Sequence, residues 1–331
     1  MAALRATSRW AVSGTPIQNS LLDFHGLFKF LHFAPYDDPK VFDDDISSIW
    51  RTKSVEEAGE TFKKLLSCVM IRRTKAILDL PSKDDHLMRV PFNHEEEIHY
   101  RQIEQPVMDM LDRNTGDDSQ TQAPWMTAIQ QINKLRLICN LGVFTPSQAD
   151  YASQAGNPDD KTSMMNTRFS MDGGSSSVVF SSWTSSLDMV ERALRFDPNQ
   201  VIQSVRIDGK ITPKNRSLAI KRLHDDPGIR VILITIACGA CGLDLTAAST
   251  VHLLEPQWNP SLEDQALARV HRLGQTRPVT TIRYVMEDSF EEHILEVQDR
   301  KKLLATTLLS NGSSLENLRQ LLHERKGGQH A

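Results

Sequence analysis

Apolar residues follow two different rhythms along this chain. Between residues 20 and 142 they recur every three or four positions, the spacing of one helical face. "LLDFHGLFKFLHF" carries Leu21, Leu22, Phe24, Leu27, Phe28, Phe30 and Leu31 in this way. Residues 54–78 and 94–112 continue the pattern, and "WMTAIQQINKLRLICNL" places Ile129, Ile132, Leu135 and Ile138 on one stripe. This region is expected to be mostly α. From residue 178 short apolar runs alternate with amphipathic stretches. "SVVFSS", "SVRIDG", "RVILITI", "STVHLLEP" and "VTTIRYVM" read as strands. "SSLDMVERALRF", "PKNRSLAIKRLHD" and "LEDQALARVHRLG" read as helices between them. Strands and helices alternating at this spacing predict an α/β fold, a parallel sheet covered on both faces. A last helix, "SFEEHILEVQDRKKLLATTLL", turns Phe290, Ile294, Val297 and Leu304 inward, and "HERKGGQHA" is expected to fray. Two stretches break the rhythms. "RWAVSGTP" reads as a buried strand ending in a turn, and polar residues 145–177 read as a flexible linker.

A chain of 331 residues is long enough for about two domains with cores of their own. Its composition, 40% hydrophobic and 24% charged, is that of a globular protein. The formal net charge of −4 excludes a globally basic nucleic-acid binder, so a DNA site would have to be a local patch. No apolar run is long enough to cross a bilayer, and the first residues lack the apolar core of a signal peptide. The four cysteines, Cys68, Cys139, Cys238 and Cys241, are too scattered for a disulfide scaffold, and a reducing intracellular setting is expected.

Candidate chemistry centres on "DQALARVHRLGQTRPV". If this is a helix, Gln265, Arg269 and Arg272 stand at i, i+4 and i+7 and share a face. That face is either a solvated charged surface or a phosphate site, since forked guanidinium groups suit oxyanions. Cys238 and Cys241 form a Cys-x-x-Cys, readable as a redox pair, half a zinc site or simple packing. Zinc needs four ligands, and no second pair has suitable spacing. "HEEEIH" spaces His94 and His99 five apart, which misses the shared helical face of a zinc protease. No metal ligands are expected.

An ordered set of stretches carries a resemblance. They are "SGTPIQN" (13–19), "MIRRTK" (70–75), "LRLICN" (135–140), "VVFSSWTSSLD" (178–188), "RIDG" (206–209), "ITIACGACGLDLTAA" (234–248), "LLEPQWNPSLEDQALARVHRLGQTRPV" (253–279) and "DSFEEHI" (288–294). The chain resembles the Swi/Snf-type, ATP-driven DNA translocases of helicase superfamily two, in the flavour of helicase-like transcription factors and fungal post-replication-repair translocases. The resemblance implies two RecA-like lobes that clamp ATP and Mg2+ between them, with double-stranded DNA across both. It allows chromatin as a further partner and implies a nuclear address and roles in chromatin remodelling or DNA repair.

It also implies an organisation. Residues 1–19 are a remnant of lobe one, 20–144 the family's helical region, 145–177 the linker, 178–288 a complete lobe two, and 289–331 a C-terminal helix and tail. No Gly-x-x-x-x-Gly-Lys-Ser/Thr phosphate loop and no magnesium-holding Asp-Glu-x-His occur. The chain is therefore expected to begin after these motifs, to need the missing first lobe as partner, and not to hydrolyse ATP alone. The zinc-binding RING module that the family often inserts near the linker is not expected, because residues 145–177 contain no cysteine.

By the same resemblance Arg269 and Arg272 are arginine fingers, and Gln265, Gly239, Gly242 and Asp244 line the nucleotide. The two glycines would permit a tight turn and a close approach to phosphate. Where the family usually has Lys-Ala-Gly-Gly-x-Gly-Leu-Asn, this chain has Ala237 to Asp244, without the lysine and with Ala240 in place of a glycine. Thr15 would couple nucleotide state to DNA. Gln18, Asn19, Ser181, Trp183, Thr184, Arg206 and Arg216 would meet DNA backbone, although Trp183 reads equally well as core. The alternatives carried are a non-catalytic module that binds DNA or a partner, and the second lobe of an RNA helicase.

Overall fold

The computed structural model describes residues 5–16, 22–48, 52, 55–73, 75–113, 122–141, 175–195, 201–239 and 242–309. They fall into two compact units. One holds the residues up to 77, 259–261 and those from 297 onward; the other holds 78–258 and 262–296. The helical region expected over 20–144 is thus shared between the two units.

The first unit contains α1 (Leu22–Leu31), the short α2 (Pro39–Phe42) and α3 (Val55–Val69). The side chain of Asp38 caps α2, accepting from the amides of Lys40 and Val41, and Pro39 stands where a helix needs no donor. Phe24, Phe28, Phe42, Ile46, Phe62 and Leu66 form an aromatic-rich core, with Phe24 edge-on to Phe62 at 5.0 Å between centroids. The strand expected at "RWAVSGTP" is absent. A strand needs a paired neighbour; no described strand pairs with residues 9–16, and Trp10 and Val12 lie 77% and 96% exposed.

The second unit is built on a six-stranded, wholly parallel sheet. Its strands are β1 (Lys83–Val90), β2 (Ser177–Ser181), β3 (Gln203–Ile207), β4 (Ile229–Thr235), β5 (Thr250–Leu253) and β6 (Val279–Met286), in the order β1-β6-β5-β2-β4-β3. The flanking helices are α4 (His94–Arg113), α5 (Gln122–Leu141), α6 (Thr184–Arg195), α7 (Pro213–Asp225), the single turn α8 (Ile236–Gly239) and α9 (Pro260–Leu267). α10 (Phe290–Leu309) starts in this unit and ends in the other.

Alternate strand residues feed two cores. Val179, Val231, Leu233, Ile282 and Tyr284 pack with Tyr100 and Val107 of α4, Leu135 and Ile138 of α5, and Leu187, Val190 and Leu194 of α6. Val178, Phe180, Val205, Ile232, Ile234 and Val251 pack with Ala219 and Leu223 of α7 and Ala266 and Leu267 of α9. Both faces are covered, which is why β2 and β4 read as nearly unbroken apolar runs. These features define an α/β, RecA-like lobe, as expected.

Two local readings change. β1 lies inside the stretch expected to be helical; its exposed "DDH" forms an edge strand with no apolar period to announce it. Of the predicted α5 stripe, Leu135 and Ile138 are buried but Ile129 is 54% exposed. "HEEEIH" opens α4 with a reciprocal cap: the Asn93 amide donates to Glu96 Oε2 (3.2 Å), and the Glu96 amide donates to Asn93 Oδ1 (2.9 Å).

Candidate nucleotide and DNA site

Candidate residues gather in two places on the second unit. The first is formed where two crossovers meet. The connection from β4 to β5 starts level with Ser181, the end of β2, and finishes level with Ser177, its start. It therefore runs from the carboxyl edge of the sheet to the amino edge, burying Ile236, Cys238, Leu245 and Ala248 on the way. The connection from β5 to β6, through α9, runs the same way over the same face.

The helix expected over "LEDQALARVHRLG" stops at Leu267. Beyond it the backbone tightens, with Arg269 N bonded to Ala266 O and Val270 N to Leu267 O, both three residues back. Gln265, Arg269 and Arg272 therefore do not lie on one straight helical face. The turn instead presses Arg269 and Arg272 toward the "GLDLTAA" loop. The Leu245 amide donates to the carbonyl of Arg269 (3.1 Å), and Arg272 Nη1 donates to the carbonyl of Leu243 (3.3 Å). Gln265 and Arg269 are half-buried.

Asp244 lies beside Arg272. Burial pushes its carboxyl up, but the hydroxyl and amide of Thr246 and the charges of Arg272 and His224 hold it below the ordinary carboxylate range. Gly242 has φ +54°, a left-handed conformation that glycine adopts without strain, and a Cβ built there would meet nothing within 4 Å. Its backbone is open to a ligand. Gly239 is different. It is buried, and a Cβ there would come within 2.5 Å of Phe180 Cε1, so close packing explains this glycine rather than an approach to phosphate. Cys238 is buried, while Cys241 lies outside the described residues. Among the described residues no group of three His, Cys, Asp or Glu side chains could hold a metal ion. Arg272, Asp244 and the Gly242 backbone are groups of the kind that contact a phosphate.

One side chain unnoticed in the sequence holds this site together. Gln275 is buried, and its Nε2 donates to the carbonyls of Ala248 (2.8 Å) and Thr246 (3.2 Å). Its Oε1 accepts from the amides of Thr276 and Arg277. The guanidinium of Arg277 adds a bond to the Ala247 carbonyl.

The second place is the carboxyl edge between β2 and β5. These neighbours send their chains to opposite faces: β2 into α6, β5 into α9. Such a topological switch opens a crevice where ligands of α/β sheets bind. Ser181 is buried there and donates to Glu255 Oε2 (3.1 Å). Glu255, only 1% exposed, also accepts from the Ser182 amide, Asn140 Nδ2 (3.1 Å) and Gln257 Nε2 (3.2 Å). Trp183 is half-buried, and Thr184 is exposed at the start of α6. A lone carboxylate closing the apolar run "TVHLLEP" was the available signal for Glu255.

Arg206 is already paired, with Asp188, Glu191 and Asp208 around it. Burial pulls its pKa down, yet the bond to Asp188 and these charges leave it raised. Arg216 is half-buried, with Nε donating to the Ile211 carbonyl (3.2 Å). Thr15 is half-buried in the other unit, its amide donating to Ser13 Oγ. Gln18 and Asn19 lie outside the described residues.

Comparison with known proteins agrees with this architecture. Residues 1–142 match the SNF2-related domain and residues 160–274 the helicase conserved C-terminal domain. The C-terminal part of the Fun30 ATPase domain has a similar fold, with a TM-score of 0.53 at 18% identity over 69% of this chain and 97% of that one. These two matches, in this order, bear out the resemblance to the Swi/Snf-type proteins of helicase superfamily two. It is 38% identical to the DNA repair protein RAD5B of Arabidopsis thaliana over 45% of this chain and 12% of that protein. It is 28% identical to a DNA repair and recombination protein RAD54-like of Drosophila yakuba over 95% of this chain and 44% of that protein. The DNA repair protein rad8 of Schizosaccharomyces pombe is 36% identical over 44% of this chain and 13% of its own length. The chain spans less than half the length of each of these relatives.

Proposed function

We propose that these residues form the second lobe of a nuclear, DNA-stimulated ATPase that moves along duplex DNA in repair or chromatin remodelling. The docking of Arg269 and Arg272 on the Gly242–Asp244 loop carries the reading. It brings the Arg269 backbone and the Arg272 guanidinium to an open glycine backbone and a carboxylate, groups suited to gripping phosphates and orienting a nucleotide. Arg269 and Arg272 act as arginine fingers, and Gln265 and Asp244 bound the nucleotide. No glycine-rich Gly-Lys-Ser/Thr loop occurs in the 331 residues, so in this reading the phosphate cradle and magnesium ligands are supplied by a partner lobe. Thr184, Trp183 and Arg216 present the DNA edge. Ser181 and Arg206 shape that edge from within, through Glu255 and the Asp188–Asp208 pair. In the family-level scheme Thr15 couples nucleotide state to DNA, and Gln18 and Asn19 meet the DNA backbone.

Duplex binding by the chain should weaken steeply with salt. ATP turnover should stay at background until a polypeptide bearing a phosphate loop is supplied. In that reconstituted assay Arg269→Ala and Arg272→Ala should each lower kcat by about 10³-fold or more, the worth of an arginine finger. Turnover by the chain alone would overturn the half-pocket. The absence of that phosphate loop favours a second reading, a module that binds duplex DNA without catalysis; reconstitution that restores no turnover would select it.

A further inference from the structure

The "LRLICN" stretch of α5 has no part in the function above, yet it reaches the switch-point crevice. Arg136 and Asn140, one helical turn apart, are both buried there. Arg136 Nη2 donates to the carbonyl of Pro256 (2.8 Å). Its guanidinium carbon stands 4.9 Å from the ring centroid of Trp183 and 5.9 Å from that of Trp258. Asn140 holds Glu255, which holds Ser181 and the Ser182 amide. One helix thus grips the loops leaving both β2 and β5. Burial lowers the pKa of Arg136, and the nearby charges of Glu255 and Glu291 oppose that shift.

We propose that Arg136 is a positioning residue: by stacking on Trp183 and Trp258 and bonding to Pro256, it locks the β2 and β5 exit loops into one preorganised DNA-facing edge. It touches no phosphate itself, being only 5% exposed. A cation over an indole face, cut off from water, is held more firmly than one at the surface. The guanidinium plane lets one group stack and donate at once, which a lysine ammonium does not do. From this joint the contacts continue. Ser182 Oγ donates to Gln257 Oε1 (2.7 Å), and the Gln257 amide donates to Glu263 Oε1 (2.8 Å), on the helix that leads to Arg269. The DNA role of the edge rests on the function proposed above; the locking of the loops does not.

The test separates the two. Hydrogen exchange is measured on the chain and on Arg136→Gln and Arg136→Lys, without DNA. The Ser182 and Trp183 amides should exchange at least tenfold faster in both variants, while those of β4 keep their protection. Unchanged protection at Ser182 and Trp183 overturns the proposal. If Arg136→Gln also loosens β4, the comparison is read in Arg136→Lys, which keeps the buried charge beside Glu255 and Glu291. Duplex affinity is then titrated against salt. Affinity should fall about tenfold in Arg136→Lys with the salt slope unchanged, because no phosphate contact is removed. A slope reduced by about one would make Arg136 a direct phosphate ligand and overturn the positioning role. Faster loop exchange with unaltered affinity would refute the DNA-facing edge while leaving the lock intact.

Discussion

Leu245 and Arg269 are joined by a backbone hydrogen bond of 3.1 Å that ties the β4–β5 crossover to the turn after α9. Main-chain bonding of this kind fixes the arginine segment whatever its side chains do. It also explains why Arg272 and Asp244 come together although the helix between β5 and β6 ends early.

Gln275→Ala should loosen this junction first. Removing the amide leaves the carbonyls of Thr246 and Ala248 and the amides of Thr276 and Arg277 without their partner. The expected loss is about 1–3 kcal/mol, read from urea denaturation, with faster exchange of the amides at 245–248.

Gly239→Ala should cost about 1–3 kcal/mol, because the new methyl must displace the Phe180 ring. Phe180→Leu in the same chain should recover part of that loss. Additive destabilisation in the double variant would contradict the steric account.

Glu263, 1% exposed, pairs with Arg283 Nε at 3.1 Å and caps the Gln257 amide at 2.8 Å. Glu263→Gln should destabilise by about 3 kcal/mol, the low end for a broken buried pair, since Arg283 keeps some solvent. Thermal denaturation of Glu263→Gln beside Arg283→Met and the double variant measures the coupling. The double variant should be more stable than the sum of the singles predicts.

Tyr100 is fully buried, and its hydroxyl accepts the Phe290 amide at 2.7 Å. Burial is the main cause that pushes its pKa far above the ordinary tyrosine value. A raised pKa stabilises the protonated folded state. That contribution is complete below about pH 10, the unfolded value, and is lost as pH rises beyond it. Stability should therefore fall above about pH 10, and Tyr100→Phe should flatten that fall. Phenolate absorbance should report Tyr100 ionising together with unfolding, not before it.

The apolar rhythm alone marked strands β2 to β6 and helices α6 and α7 of the second unit. Segments such as "VTTIRYVM" and "PKNRSLAIKRLHD" coincide with β6 and α7 because strands buried on both faces, and a helix capped by Thr212, carry their signals locally. What lay beyond reach depended on partners distant in sequence. The polar edge strand β1 exists only because β6 pairs with it, and "RWAVSGTP" is not a strand because no described strand pairs with it. The early end of α9, the reason for Gly239 and the grip of Arg136 on Trp183 follow from contacts across dozens of residues. Periodicity reports which face of an element is buried; only the folded chain decides what that face, or a buried polar group, meets.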